Sequence, residues 1–176
     1  SPVSIAKSEI DNCNGLIVIP GCDKTLSAVA ITLFRLNKPG LVICGGDKSN
    51  KDPLLQTNRD DCINNSGMNS VNTMATILEV MGLTLPNSSS NPSFSQDKTK
   101  ECFQSVIYLK ELISNDLKPL ELMTREHFLN GIKMLYLCGG SINGVIHLLD
   151  MAKTAGIQLS LQDFKDYENL PILLNM

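Results

Sequence analysis

An α/β domain, a parallel sheet flanked by helices in three layers, is the fold this sequence predicts, on three observations. Two short runs, Gly15 to Ile19 and Gly40 to Cys44, are apolar on both parities and rich in β-branched residues, as strands covered on both faces require. Between them, Leu26 to Leu36 carries apolar residues at helical spacing. Strand, helix and strand then form one βαβ unit, whose right-handed crossover sets the strands parallel.

Taken in order, the first strand ends at Pro20, and Gly21-Cys22-Asp23-Lys24 follows at its carboxyl end, where α/β folds bind ligands. The crossover helix runs from Thr25 to Leu36 and is ended by Lys38-Pro39. After the second strand Gly45-Gly46 permits a sharp turn, and the polar stretch from Asp47 to Asp61 reads as loop. Met74, Ile77, Leu78 and Met81 recur at helical spacing and predict a helix over 70–81, with Gly82 as its stop. Pro86 to Ser95 is a Ser/Asn/Pro loop. Gln96 to Ser114 reads as a long amphipathic helix with Cys102, Val106, Leu109 and Ile113 on its inner face. Thr124 caps a helix over 125–134, with Phe128, Ile132 and Leu135 facing inward. Leu135-Tyr136-Leu137-Cys138 is expected as a short strand before Gly139-Gly140, and a last helix runs from Gly144 to Ala155 and stops at Gly156. The apolar tail, Leu170 to Leu174, calls for something further to pack against. Residues 1–176 are accordingly expected to be a single, incomplete domain, without internal repeat or linker.

Bulk properties narrow the function. Hydrophobic residues make up 43% and charged residues 19%, the balance of a globular chain. A net charge of −3 with Lys and Arg scattered singly leaves no footprint for nucleic acid. No apolar run approaches the ~18–20 residues that cross a bilayer, so no membrane partner is expected. The cysteines at 13, 22, 44, 62, 102 and 138 form no Cys-x-x-Cys pair and follow no secretory signal. They are expected as free thiols, in the cytoplasm or another reducing compartment. Asn87-Ser88-Ser89 and Asn64-Asn65-Ser66 match the glycosylation pattern by chance on that reading.

The junction Gly21-Cys22-Asp23-Lys24 sets a soft ligand, a hard oxygen ligand and an amine in consecutive positions. By composition alone it is either a metal site or a helix start in which Asp23 or Thr25 caps, Lys24 is solvated and Cys22 packs in the core. Cys44 reads as a core residue, His147 as a core histidine on an apolar helix face, and His127 as a surface residue near a helix start.

Four segments in order resemble the dihydroxy-acid and phosphogluconate dehydratase family, nearer its dihydroxy-acid branch. They are Ile19-Pro20-Gly21-Cys22-Asp23-Lys24; Val71-Asn72-Thr73-Met74-Ala75 running into Gly82-Leu83-Thr84-Leu85-Pro86-Asn87-Ser88-Ser89-Ser90-Asn91-Pro92; Gly139-Gly140-Ser141-Ile142-Asn143; and Ile146-His147-Leu148-Leu149 followed by Asp163-Phe164. The resemblance implies most of an amino-terminal α/β domain, which a carboxyl-terminal barrel follows in the family. It also implies the family reaction, loss of water from a 2,3-dihydroxy acid to give a 2-keto acid in branched-chain amino-acid biosynthesis. The cofactors it implies are an iron–sulfur cluster acting as Lewis acid and a Mg²⁺ ion. Carried over by position, Cys22 is a cluster-binding residue, Asp23 a Mg²⁺ ligand, and Lys24 the lysine that the family carbamylates to supply another oxygen.

The chain departs from the family pattern in places that matter. Where the family has a Gly-Ser-Cys-Gly-Gly-Met string, this sequence has Asn64-Asn65-Ser66-Gly67-Met68, so Asn65 takes the cysteine position, and an amide does not replace a thiolate on iron. Cys62 would substitute only if the loop slid. Pro2 and Val3 stand where the family has Arg and Glu, the stretch between Gly46 and Cys62 is short, and Ile142 replaces the Thr of Gly-Gly-Ser-Thr-Asn. The first cluster cysteine, another Mg²⁺ ligand and the family's catalytic serine belong to segments outside residues 1–176. The expectation is a dehydratase-like domain inactive as an isolated chain, with no catalytic residue assigned; the alternative is a non-catalytic, degenerate paralogue acting as a binding or oligomerisation module. Expected partners are a small 2,3-dihydroxy acid if active, and a second copy or the polypeptide of the missing domain.

Overall fold

The computed structural model describes residues 12–20, 23–46 and 70–173. The loop expected over 47–61 lies outside them, as do Cys22, Cys62 and Asn65. In chain order the elements are β1 (Leu16–Val18), α1 (Asp23–Leu36), β2 (Gly40–Val42), α2 (Ser70–Val80), α3 (Gln96–Ser114), α4 (Pro119–Leu122), α5 (Arg125–Leu137), α6 (Asn143–Thr154) and α7 (Leu161–Lys165).

The βαβ unit forms as its periodicity dictates. β1 and β2 pair in parallel with Leu16 opposite Gly40 and Val18 opposite Val42, and the ladder is extended by Ile43 N–H donating to the Val18 carbonyl at 2.9 Å. On the other edge of β2, Val42 bridges in parallel to Thr84. β2 is therefore central and wholly buried. β1 is only half-buried, with Ile19 beyond it 62% exposed, which corrects the expectation of a strand covered on both faces. Among the described residues it pairs along one edge only.

Helices lie on both sides of the sheet. A Cβ at Gly40 would meet Leu33 of α1, while one at Gly15, the residue before Leu16 in the pleat, would meet Leu109 and Ile113 of α3. Successive residues of a strand face opposite ways, so α1 and α3 cover opposite faces and the domain has three layers. The core sits on the α1 side, where Leu26, Leu33 and Phe34 of α1 meet Met74, Ile77 and Leu78 of α2, Phe128 and Ile132 of α5, and Leu148 and Met151 of α6. Phe34 and Phe128 pack at a ring separation of 6.3 Å, within the favourable range for tilted aromatic pairs.

Three further expectations change in the structure. Leu135 to Cys138 is not a strand. Leu135 continues the inward row of Phe128 and Ile132, so α5 runs on to Leu137 and ends at Gly139, whose φ of +57° suits a left-handed helix stop. There Gly139 N–H donates to Tyr136 and Gly140 N–H to Leu135, the paired bonds that also close α2 at Gly82, φ +79°, through Leu78 and Glu79. The inner face of α3 is also rotated from the expected one: Lys98, Glu101 and Ser105 are buried, while Val106 is 49% exposed. Thirdly, His147 is half-buried rather than in the core, and its neighbour Ile146 is exposed. His127 does lie at a helix start, where it completes a capping box with Thr124.

Candidate functional site

The described residues on either side of the β1–α1 junction lie at the carboxyl end of the sheet. β1 leads through Pro20 into α1, which begins at Asp23. Lys24, in the first turn, is exposed, and its carbonyl accepts the Ser27 hydroxyl at 3.2 Å. The predicted cluster residue Cys22 lies outside the described residues.

Beside this junction, the end of β2 is fixed by a polar cluster that sequence reasoning missed. The Lys98 ammonium donates to the Cys44 and Ser88 carbonyls at 2.7 and 2.8 Å and pairs with Glu101 at 2.9 Å. Cys44 N–H donates to the Ser88 hydroxyl at 3.0 Å, and that hydroxyl donates in turn to Glu101. Asn91 gives its amide to the same carboxylate at 2.9 Å, and Ser93 donates to the Gly45 carbonyl at 2.7 Å. From α2, Glu79 accepts the backbone N–H groups of Asn87 and Ser89 at 2.7 and 2.8 Å. Asn87-Ser88-Ser89 is thus clamped between α2, α3 and β2. Its only sequence signal was Lys98 and Glu101 at i,i+3 behind a run of serines, a pattern equally typical of a solvated helix start.

A second convergence joins two of the family-like segments. Thr73, fully buried on α2, accepts Ser141 N–H at 3.2 Å on its hydroxyl. A Cβ at Gly140 would lie 2.6 Å from Thr73 Cγ2, so only glycine permits this approach of the Gly139–Asn143 loop to α2. On its outer side the loop borders a cavity of about 290 Å³, lined by Tyr136, Ile142, Val145, Glu168 and Ile172. The apolar tail reaches back here, with Leu173 N–H donating to the Leu137 carbonyl at 2.8 Å, although Ile172 and Leu173 remain exposed. A larger open cleft of about 620 Å³ lies away from both convergences, between α6 and α7, where Arg125 pairs with Asp163. Backbone and hydroxyl bonds from Ser160, together with Arg125, hold the Asp163 carboxyl below its usual range.

Among the described residues, which do not include Cys22 or Cys62, no three His, Cys, Asp or Glu side chains are grouped to hold a metal ion. Burial pushes the Cys44 thiol up to about 11, against the opposing effect of the Ser88 hydrogen bond, and raises Cys138 as well. A thiol in that state is a poor source of thiolate. Cys13 and Cys102 are half-buried. Also among the described residues, no helix is long and apolar enough to cross a membrane.

Comparison with known proteins now bears on this fold. A sequence model described as "Dihydroxy-acid/6-phosphogluconate dehydratase N-terminal" matches residues 58–176. The mitochondrial dihydroxy-acid dehydratase of Aspergillus fumigatus is 35% identical to this chain, over 91% of the chain and 32% of the relative. The dihydroxy-acid dehydratase of Flavobacterium psychrophilum is 32% identical over 93% of the chain and 35% of the relative. That of Lactococcus lactis subsp. lactis is 31% identical, over 91% and 33%. The chain belongs to the dihydroxy-acid and 6-phosphogluconate dehydratase family, as its amino-terminal α/β domain. It spans about a third of the length of these relatives.

Proposed function

We propose that this chain is the amino-terminal scaffold of a dihydroxy-acid dehydratase and does not turn over by itself. In this reading the full reaction is the family's dehydration of a 2,3-dihydroxy acid to a 2-keto acid in branched-chain amino-acid biosynthesis. Cys22, Asp23 and Lys24 are the part of the iron–sulfur and Mg²⁺ ligand set that this segment keeps. Domain organisation follows from the same reading: residues 1–176 make one incomplete domain, in the cytoplasm or another reducing compartment. The uncovered apolar surface is then met by another copy, or by the polypeptide that carries the remaining segments.

The observation that carries the proposal is the joining of family-like segments at Thr73 and Gly140-Ser141, with the Asn87–Asn91 loop braced on Glu79 and Glu101. On this reading the scaffold of the site is in place, while the full ligand set needs residues from other segments. Asn65 favours a second reading, in which the chain is a degenerate paralogue serving as a binding or oligomerisation module, because a ligand is replaced inside the retained region. Anaerobic reconstitution of the purified chain with iron and sulfide, followed by an assay for 2-keto acid from a branched 2,3-dihydroxy acid, tests the proposal. A colourless, folded, inactive protein is expected. Turnover by the chain alone overturns it.

A further inference from the structure

The open cleft of about 620 Å³ between α6 and α7 is of the size that takes small molecules. Its aliphatic lining is half-buried and comes from Leu149, Ile157 and Leu159; its charged lining comes from Arg125, Asp150, Lys153 and Asp163. These charges are unequally committed. One Asp163 oxygen takes Arg125, and the other takes the Ser160 N–H at 2.7 Å and the Ser160 hydroxyl at 2.9 Å, so this carboxylate is saturated. Arg125 spends one of its five N–H donors there and has no other partner among the described residues.

Asp150 and Lys153 have no side-chain partner among the described residues. They stand at i,i+3 on α6, and the same spacing in the same order closes an ion pair on α3, from Asp97 to Lys100 at 3.0 Å. On α6 the pair stays open, and both charges line the cleft. The extended link from α6 to α7 adds the backbone N–H groups of Gln158 and Leu159, which donate to nothing among the described residues. Spare donors on Arg125, Lys153 and this link suit a carboxylate, while Asp150 suits a cation. Cβ atoms at i,i+3 are about 5–6 Å apart, so a carboxylate and an ammonium carried on one carbon can reach both side chains at once. A simple anion would meet Asp150 as a like charge, and a simple amine would meet Arg125 and Lys153 in the same way. An aliphatic chain on that carbon would lie over Leu149, Ile157 and Leu159 and remove apolar area from water.

We propose that the cleft between α6 and α7 binds a free α-amino acid with an aliphatic side chain, its carboxylate on Lys153 and Arg125, its ammonium on Asp150 and its side chain on Leu149, Ile157 and Leu159. L-norleucine, hexanoate and pentylamine share one aliphatic chain and differ in which charges they carry. Titrating each into the isotope-labelled 176-residue chain, with backbone amide shifts in nuclear magnetic resonance spectra as the readout, tests the assignment. Saturable shifts at the residues lining the cleft are expected with L-norleucine, and binding about tenfold weaker for either analogue, the loss of one charge-assisted hydrogen bond. Asp150→Asn should remove the preference over hexanoate and keep that over pentylamine. Lys153→Met should shrink the preference over pentylamine and keep that over hexanoate. Lys165→Met, at an exposed lysine of α7 outside the cleft, should leave all three affinities unchanged. No saturable shift with L-norleucine, an analogue bound as tightly as the amino acid, or preferences indifferent to both Asp150→Asn and Lys153→Met overturns the proposal.

Discussion

At the scale of single residues, the chain spends its polar groups on holding the end of β2. Lys98 uses all three ammonium hydrogens, on Cys44, Ser88 and Glu101, and Glu101 is 3% exposed. A buried pair satisfied to this degree adds little net stability over an apolar pair, but removing one member leaves an uncompensated charge, so the cluster defines one geometry for Cys44 to Gly46. Cys44 reports on that environment. Its thiol is held up to about 11, against an ordinary value of 9.0, chiefly by desolvation. Between those values the unfolded chain has lost the thiol proton while the folded chain keeps it. This contribution to stability is therefore complete below pH 9.0 and is lost progressively as the pH rises toward about 11. Urea denaturation across that window should show wild-type stability falling more steeply than that of Cys44→Ala, by on the order of 2 kcal/mol at the top of the range. Parallel pH profiles for the two proteins would show that the thiol is not desolvated in the fold.

At the scale of elements, legibility followed periodicity. α1, α2 and α6 were readable to within a residue or two because each has a single apolar face turned to one core, and Gly82 and Gly156 mark their ends by their positive φ. α5 was misread at its end because a run of Leu and Tyr before two glycines is equally consistent with a short strand; only the packing of Leu135 against the loop at Gly140 decides it. α3 was read as a helix with Leu109 and Ile113 rightly turned to the sheet, but Val106 is exposed and the fully buried row is Lys98, Glu101 and Ser105, residues that hydropathy assigns to solvent. The contact between α2 and the Gly139–Asn143 loop has no periodic signature at all, being a matter of atomic fit. Gly140→Ala would drive a methyl into Thr73 Cγ2 at 2.6 Å and Leu135 Cδ1 at 2.9 Å. A loss of about 1–3 kcal/mol is expected from that overpacking. Adding Thr73→Ser removes the nearer methyl while keeping the hydroxyl that accepts Ser141 N–H, so the double variant should regain part of the loss in chemical denaturation. A Gly140→Ala protein as stable as wild type would mean that the loop does not approach α2 this closely.

At the scale of the whole molecule, the fold class was carried by one βαβ unit, because parallel pairing and right-handed crossover leave few alternatives once two apolar strands flank a helix. The candidate site is less legible for a physical reason. A cluster ligand set is assembled from distant segments, and its quality depends on each donor atom, so similarity over most of the chain is compatible with one donor being an amide. On the proposed reading Asn65 is that position in this sequence, while Cys22 keeps the thiol. If the two positions still face one centre, restoring sulfur at 65 should improve iron binding without restoring activity, since thiolates hold such clusters and two of them hold iron better than one. Anaerobically reconstituted Asn65→Cys is therefore expected to retain at least about twice the iron and sulfide of the wild-type chain after gel filtration. Cys22→Ser in the same protein should abolish that gain, which separates a shared centre from nonspecific uptake by an added thiol. Equal iron in wild type and Asn65→Cys would mean that the loop bearing residue 65 no longer meets the β1–α1 junction. The chain would then be a family scaffold whose site could not be recovered at a single position.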